Sequence, residues 1–481
     1  MPSAHHLGLR AATAAGAHIS TYRGCWLPAF LSVRRNVSRW CYISQSAVLD
    51  WWQRPFFGLD NPKVLIQVVK QAGCIVPSGA YKAFELLAHD LALAAPGLSL
   101  WARCLTWYGL IGHLTSHQVL HEDLARHPEV KTEALRPPVV VMGLPRTGST
   151  LLHHLLSLDP NSQCLRAYEL IRPVRPLSSG LLPPHVVDFL DWTKLAVFLR
   201  AVAWIAPQWP HHHDLDASSP EECLFALQRD MPLDTHYRAH SRLLETYAQE
   251  HEIPKEAYLQ YRLFLQHTQI RRGSSHQHYV LKGQLLHLQY LAALQEAFPE
   301  AKLLWTHRPP EEVVGSLCSL RRSQHEIFTS KEIDTAEIGQ GVLEYLSNAL
   351  GKAHAALSVK GVRTAALEDD EPLLHVQYSA LVKDPISVVE EIYAAWGWKV
   401  SSEHRLAMES YMDRSTSLRQ SRGKDRARYH DGHQLERYGL STDRVKAHFA
   451  DYFFGELATA FPDTKGVMRH SEIRSMSARQ T

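Results

Sequence analysis

The chain has 481 residues, a formal charge of +2 with His neutral, and 45% hydrophobic against 21% charged residues. These figures describe a soluble globular protein with a sizeable core and exclude a disordered chain, and so small a net charge excludes nucleic acid as the main partner. The seven Cys are odd in number, widely spaced and free of any Cys-x-x-Cys pair, which favours reduced thiols over a disulfide framework or a zinc knuckle.

Residues 1–49 hold Arg10, Arg23, Arg34, Arg35 and Arg39 but no Lys and no acid. That is the composition of an organelle transit peptide, and equally of a disordered leader, so the expected location is the cytoplasm, or a mitochondrion or plastid if the leader is a targeting signal. The apolar run Cys25 to Val33 is too short to span a bilayer, and no uncharged apolar run of about 18 residues occurs elsewhere, so no transmembrane segment is expected.

From Asn61 to Pro128 apolar residues recur at steps of three and four (Val64, Leu65, Val68; Leu86, Leu87, Leu91), which predicts an all-helical layer over residues 50–136. Pro137-Pro138 punctuates the chain, and Val139 to Met142 reads as a strand buried on both faces. Three later segments repeat a strand-then-helix rhythm, with strands at Tyr279-Val280-Leu281, Leu303-Leu304-Trp305 and Leu374-His375-Val376. The expected fold is therefore α/β: a P-loop-like parallel sheet flanked by helices over residues 137–465, with a helical insertion between 181 and 270 and a flexible tail over 466–481.

The first strand runs into Gly143-Leu144-Pro145-Arg146-Thr147-Gly148-Ser149-Thr150 and then an amphipathic helix with Leu151, Leu152, Leu155 and Leu156. This order points free backbone N–H groups and the positive helix end at one spot, an anion cradle to which Ser149 and Thr150 add hydroxyls and Arg146 a cation. The Gly-x4-Gly spacing matches a nucleoside-triphosphatase loop, but Ser149 stands where that loop requires Lys. An atypical P-loop kinase and a non-catalytic nucleotide-binding scaffold are the alternatives at this point. A second motif, Thr306-His307-Arg308-Pro309-Pro310-Glu311-Glu312-Val313-Val314-Gly315-Ser316, sets a cation at a strand end and a hydroxyl eight residues on, with Pro310 and the two Glu suited to the helix's first turn.

With both motifs the chain resembles the sulfotransferase superfamily, and within it the bacterial-type sulfotransferases that carry an upstream helical layer, a Gly-Leu-Pro-Arg-Thr-Gly loop and an Asp-Pro after the loop helix. The resemblance implies 3′-phosphoadenosine 5′-phosphosulfate as co-substrate, no metal, and a small-molecule acceptor sulfated on a hydroxyl or, less commonly, an amine. It implies that Pro145 to Thr150 hold the 5′-phosphosulfate and that Arg308 and Ser316 hold the 3′-phosphate. It further implies Glu169 as general base, Lys282 on the bridging oxygen, Tyr378 near the adenine or 3′-phosphate, and Arg422-Gly423-Lys424 in a late loop that closes over the donor. Pro309 departs from the usual Asp. Gly283-Gln284 departs from the usual Ser-Pro or Asp-Pro, in a stretch one residue longer than the family's. His211-His212-His213 falls in the insertion expected to shape the acceptor pocket, although adjacent His are poorly placed to face one metal ion.

Overall fold

The computed structural model describes residues 97–170, 174–177, 183–205, 216–230, 253–329, 335–358, 373–429, 435–450 and 466–477, with isolated positions between 86 and 91 and at 332 and 334. The leader, His211-His212-His213 and most of the expected helical layer before Leu100 lie outside the described residues.

In chain order the main elements are α1 (Leu100–Arg126), β1 (Arg136–Gly143), α2 (Ser149–Leu156), β2 (Ser162–Gln163), α3 (Ala167–Leu170), α4 (Pro184–Ile205), α5 (Leu224–Leu227) and α6 (Ile253–Arg272). They continue with β3 (His278–Gly283), α7 (Gln284–Gln289), α8 (Leu291–Ala297), β4 (Lys302–His307), α9 (Pro310–Phe328), α10 (Thr335–Ser358), β5 (Leu373–Gln377) and α11 (Tyr378–Lys383). The last are α12 (Pro385–Ala395), α13 (Ser402–Tyr429), α14 (Thr442–His448), β6 (Val467–Arg469) and α15 (His470–Ser477). The strands form one sheet in the order β2-β3-β1-β4-β5-β6, parallel except for β6. Residues 467–477, read from the sequence as tail, thus form a strand antiparallel to β5 and a helix: β6 is only three residues long, too short for periodicity to mark.

The unbroken apolar run of β1 follows from its central place. Val140 and Met142 point into a core built with α6 to α10, while Val139 and Val141 point into a second core formed with α2 and α12. Such alternation across two covered faces is what a parallel sheet requires. Gly143 ends the strand at φ 147°, and a Cβ there would lie 2.5 Å from Thr306 Oγ1 and 2.6 Å from its carbonyl oxygen, so only Gly lets β1 and β4 close together at the edge where the loop begins.

The stretch after β3 bends twice. Gln284 takes the left-handed conformation with φ 40°, and the helical stretch that follows β3 is divided at Tyr290 into α7 and α8. Gly283, where the resembling proteins carry Ser or Asp, has His287 against it: a Cβ would sit 2.4 Å from the ring's Nε2. The departure from the family pattern thus has a steric reason.

Candidate functional site

The carboxyl ends of β1, β3, β4 and β5 lie side by side, with Val141 paired to Lys282, Gly143 to Thr306 and His307 to Gln377. The loop from Gly143 to Thr150, Lys282, Arg308 and Tyr378 each lie at or just after one of these ends, the edge at which open α/β sheets bind ligands.

The loop's path is set by Arg146 at φ 71° and Gly148 at φ 85°, which turn the chain into α2. Leu152 N–H makes the helix's bond back to the Gly148 carbonyl at 3.1 Å, so the N–H groups of Gly148 to Leu151 face the cradle without intrahelical acceptors. Thr147 is fully buried: its hydroxyl donates to the Leu144 carbonyl at 2.6 Å and touches Thr306 Oγ1 at 2.6 Å. Its side chain therefore braces the loop against β4. Gly148 has no room for a larger residue, because a Cβ would lie 3.0 Å from Leu381 and 3.1 Å from the Tyr378 ring.

The two motifs, the loop after β1 and the stretch after β4, are joined directly. Arg146 Nε donates to Ser316 Oγ at 3.0 Å, and an Arg308 terminal nitrogen donates to the Arg146 carbonyl oxygen at 2.9 Å. The Arg308 guanidinium also stacks on Tyr378, with its carbon 4.3 Å from the ring centroid, and pairs with Glu312 through contacts of 2.9 and 2.7 Å. Residues 162 and 170 positions apart thus form one cationic group at the mouth of the sheet.

Lys282 is buried at the end of β3, with Nζ donating to Thr150 Oγ1 at 3.0 Å and pairing with Glu222 Oε1 at 3.1 Å. Glu222 was missed from sequence. It arrives because residues 216–223 run back along 165–168, with Glu221 N–H on the Leu165 carbonyl at 3.1 Å and Cys223 N–H on the Lys282 carbonyl at 2.7 Å. The sequence held no spacing signal for this, since the pairing depends on how the insertion folds back.

Glu169 stands elsewhere. Its carboxylate accepts from the Arg166 N–H at 2.8 Å and from Arg272 Nε at 3.1 Å, lies 3.8 Å from Arg271, and is 7% exposed. These donors tie α3 to the end of α6, and they occupy the oxygens that a general base would have to offer. Arg422, Gly423 and Lys424 lie within helix α13 and not in a loop.

Behind Arg308 a chain of imidazoles runs into the sheet: His307 Nε2 to His375 Nδ1 at 2.8 Å, and His375 Nε2 to His470 Nδ1 at 3.1 Å. Burial pushes His307 down to about 3 and His375 well below its ordinary value, the latter also through its His neighbours. Burial thus disfavours the charged form of His307 and His375. His287, beside Lys282 through Gly283, is likewise pushed down to about 3 by burial, with Nδ1 2.7 Å from the Tyr258 hydroxyl. Cys164, Cys223 and Cys318 are free thiols among the described residues.

The model of the sulfotransferase family matches residues 137–402. Omega-hydroxy-beta-dihydromenaquinone-9 sulfotransferase Stf3 of Mycobacterium bovis and its counterpart in Mycobacterium tuberculosis are each 24% identical over 261 residues, which covers 54% of this chain and 63% of theirs. The chain therefore spans less than two thirds of the length of these relatives. Among solved structures, sulfotransferase STF1 from Mycobacterium tuberculosis H37Rv superposes with a TM-score of 0.59 at 26% identity, over 77% of this chain and 91% of that one. Sulfotransferase STF9 from Mycobacterium avium superposes at 0.63 and 21% identity, over 82% and 95%, which shows the shared fold. With a family match over more than half its length, running from the cradle strand through both phosphate motifs to the start of α13, the chain belongs to the sulfotransferase family.

Proposed function

We propose that the protein transfers a sulfuryl group from 3′-phosphoadenosine 5′-phosphosulfate to a hydroxyl of a small, largely apolar acceptor. The observation that carries this reading is the junction of Arg146, Ser316 and Arg308. It sets two cations and a hydroxyl side by side at the sheet edge, which supports a nucleotide phosphorylated at both ends of its ribose as the ligand. The hydroxyl acceptor is supported by the Stf3 relatives, whose name states an omega-hydroxy group on a lipid quinone.

In this reading the loop amides and Arg146 hold the phosphosulfate end, while Arg308 and Ser316 hold the 3′-phosphate with Tyr378 beneath the guanidinium. The reaction breaks the bond between sulfur and the bridging phosphate oxygen and forms a bond from sulfur to the acceptor oxygen. Charge accumulates on the bridging oxygen, and Lys282, whose ammonium has three donors of which Thr150 and Glu222 engage two, has one left to stabilise it. The acceptor's proton needs a carboxylate that reaches the same place. Glu222 meets that demand better than Glu169, being in contact with Lys282 and 19% exposed. A positioned base of this kind contributes roughly 10²–10⁴-fold. The products are the sulfate ester and adenosine 3′,5′-diphosphate.

The test is transfer of radiolabelled sulfate from the nucleotide to a panel of hydroxylated acceptors, with a chelator present. Labelled ester in step with released adenosine 3′,5′-diphosphate is expected. Donor binding without transfer to any acceptor would support the scaffold reading instead.

A further inference from the structure

Helix α4 carries two apolar faces. One packs inward: Leu195 meets Ala167 and Ala217, flanked by Trp192, Ala196, Phe198 and Leu199, and Trp192 Nε1 donates to Ser218 Oγ at 2.7 Å. The other stands in solvent, with Phe189 63%, Val197 59%, Trp204 44% and Leu190 40% exposed. Positions 190, 197 and 204 recur every seven residues and so lie almost on one line. Four of the six large hydrophobic side chains exposed among the described residues are on this helix.

The charges are sorted as sharply as the apolar groups. The exposed residues of α4 include the cations Lys194 and Arg200, and His185, but no carboxylate. Both acids of the helix are drawn inward, Asp188 to Arg271 at 2.9 Å and the buried Asp191 to Arg175, with Lys194 3.7 Å from Asp191. An apolar strip that ends on Trp204, with Phe189 beside its other end, edged by cations while both acids of the helix are ion-paired, complements an anionic lipid surface. A solvated helix has no need of the strip, and a protein partner sets no rule against acids.

We infer that α4 is a membrane-docking helix that lies in the headgroup region of an anionic bilayer. The helix does not cross: no helix among the described residues is long and apolar enough to do so, and α4 carries four charged residues along its length. Its inner face packs on residues 167 and 217, the two strips of chain whose pairing delivers Glu222 to Lys282. Docking would therefore bring the acceptor side of the sheet edge to the lipid surface, where an apolar acceptor resides. The docking itself needs no donor and no turnover, so its test stands apart from that of the transfer reaction.

The experiment is co-sedimentation of the full chain with vesicles of phosphatidylcholine alone or with about 30% phosphatidylglycerol. Because residues 1–49 also carry five Arg, the variants and not bulk binding decide the matter. Lys194→Gln with Arg200→Gln should weaken binding to the anionic vesicles by about 25-fold, near fivefold per cation, while leaving the thermal midpoint unchanged. Val197→Ser with Trp204→Ser should weaken binding to both vesicle types. Anionic-vesicle affinity unchanged in both double variants would overturn the inference. So would a dimer in vesicle-free sedimentation that Trp204→Ser abolishes, since the strip would then belong to a second copy of the chain.

Discussion

Replacing Arg308 by Ala separates two roles that the geometry gives one side chain. Its guanidinium holds the Arg146 carbonyl at 2.9 Å, and so helps fix a non-glycine residue at φ 71°, and in the proposed function it is the cation offered to the 3′-phosphate. Charged hydrogen bonds to phosphate contribute about 1.5–3 kcal/mol. From this must be taken the pair with Glu312, 47% exposed and four residues away, which is worth roughly 0.5 kcal/mol and is given up when a phosphate takes its place. The net loss of about 1–2.5 kcal/mol is a 5- to 70-fold rise in the Kd of adenosine 3′,5′-diphosphate, measured by titration calorimetry. Adenosine 5′-monophosphate, which lacks the 3′-phosphate, is the control, and its Kd should change by no more than about twofold. Equal losses for the two nucleotides would refute the clamp and leave Arg308 as a prop for the loop. Ser316→Ala should follow the same pattern more weakly, by about fivefold, as expected of a neutral donor.

Glu169→Gln should act on stability before turnover: it leaves the largely buried Arg272 facing a neutral partner, at a cost of roughly 1–3 kcal/mol seen in the urea midpoint, with kcat nearly preserved. A large fall in kcat at unchanged stability would restore Glu169 as the base. The fold should also be acid-labile. His287 and His307 are held near 3 by burial against about 6.5 in the unfolded chain, so the unfolded state binds more protons between those values. Their stabilisation is complete above pH 6.5 and is lost as the pH falls through this window, by on the order of 3 kcal/mol for the pair at pH 5.5. Urea melts at pH 7.5 and 5.5 would read the difference, and coincident curves would show that neither ring is as dry as the structure places it.

What could be read from the sequence was what is written locally. The run Val139 to Met142 announces a strand covered on both sides, and Gly143 to Thr150 announces a turn into a helix, because each effect acts over a few residues. The placement of Arg308 just past a strand end and of Ser316 in the helix that follows was legible for the same reason. The setting of Glu169 was not legible, because its carboxylate is engaged by Arg272 of α6, a hundred residues on. Glu222 was invisible because it reaches Lys282 by folding back on residues 165–168. Helix α4 looked like plain insertion, since its periodicity shows that it has apolar faces but not that one of them stays uncovered.

Both cations expected to act on the donor rest on a carboxylate, Lys282 on Glu222 and Arg308 on Glu312. This arrangement orders the events. In the proposed reaction the phosphosulfate first takes the third donor of the Lys282 ammonium, and as it draws that charge to itself it weakens the hold on Glu222, whose oxygen then opens to the acceptor's hydroxyl. The two effects can be measured separately because they have opposite signs. Glu222→Gln removes a competitor for Lys282 and should tighten donor binding by up to about fivefold, since the net attraction of this largely buried pair is small once its desolvation is counted. The same change removes the proton acceptor and should lower kcat by about 10²-fold or more. A variant that bound the donor more weakly would mean that Glu222 positions Lys282 and does not compete for it, and a variant with unaltered kcat would mean that the proton leaves by another route.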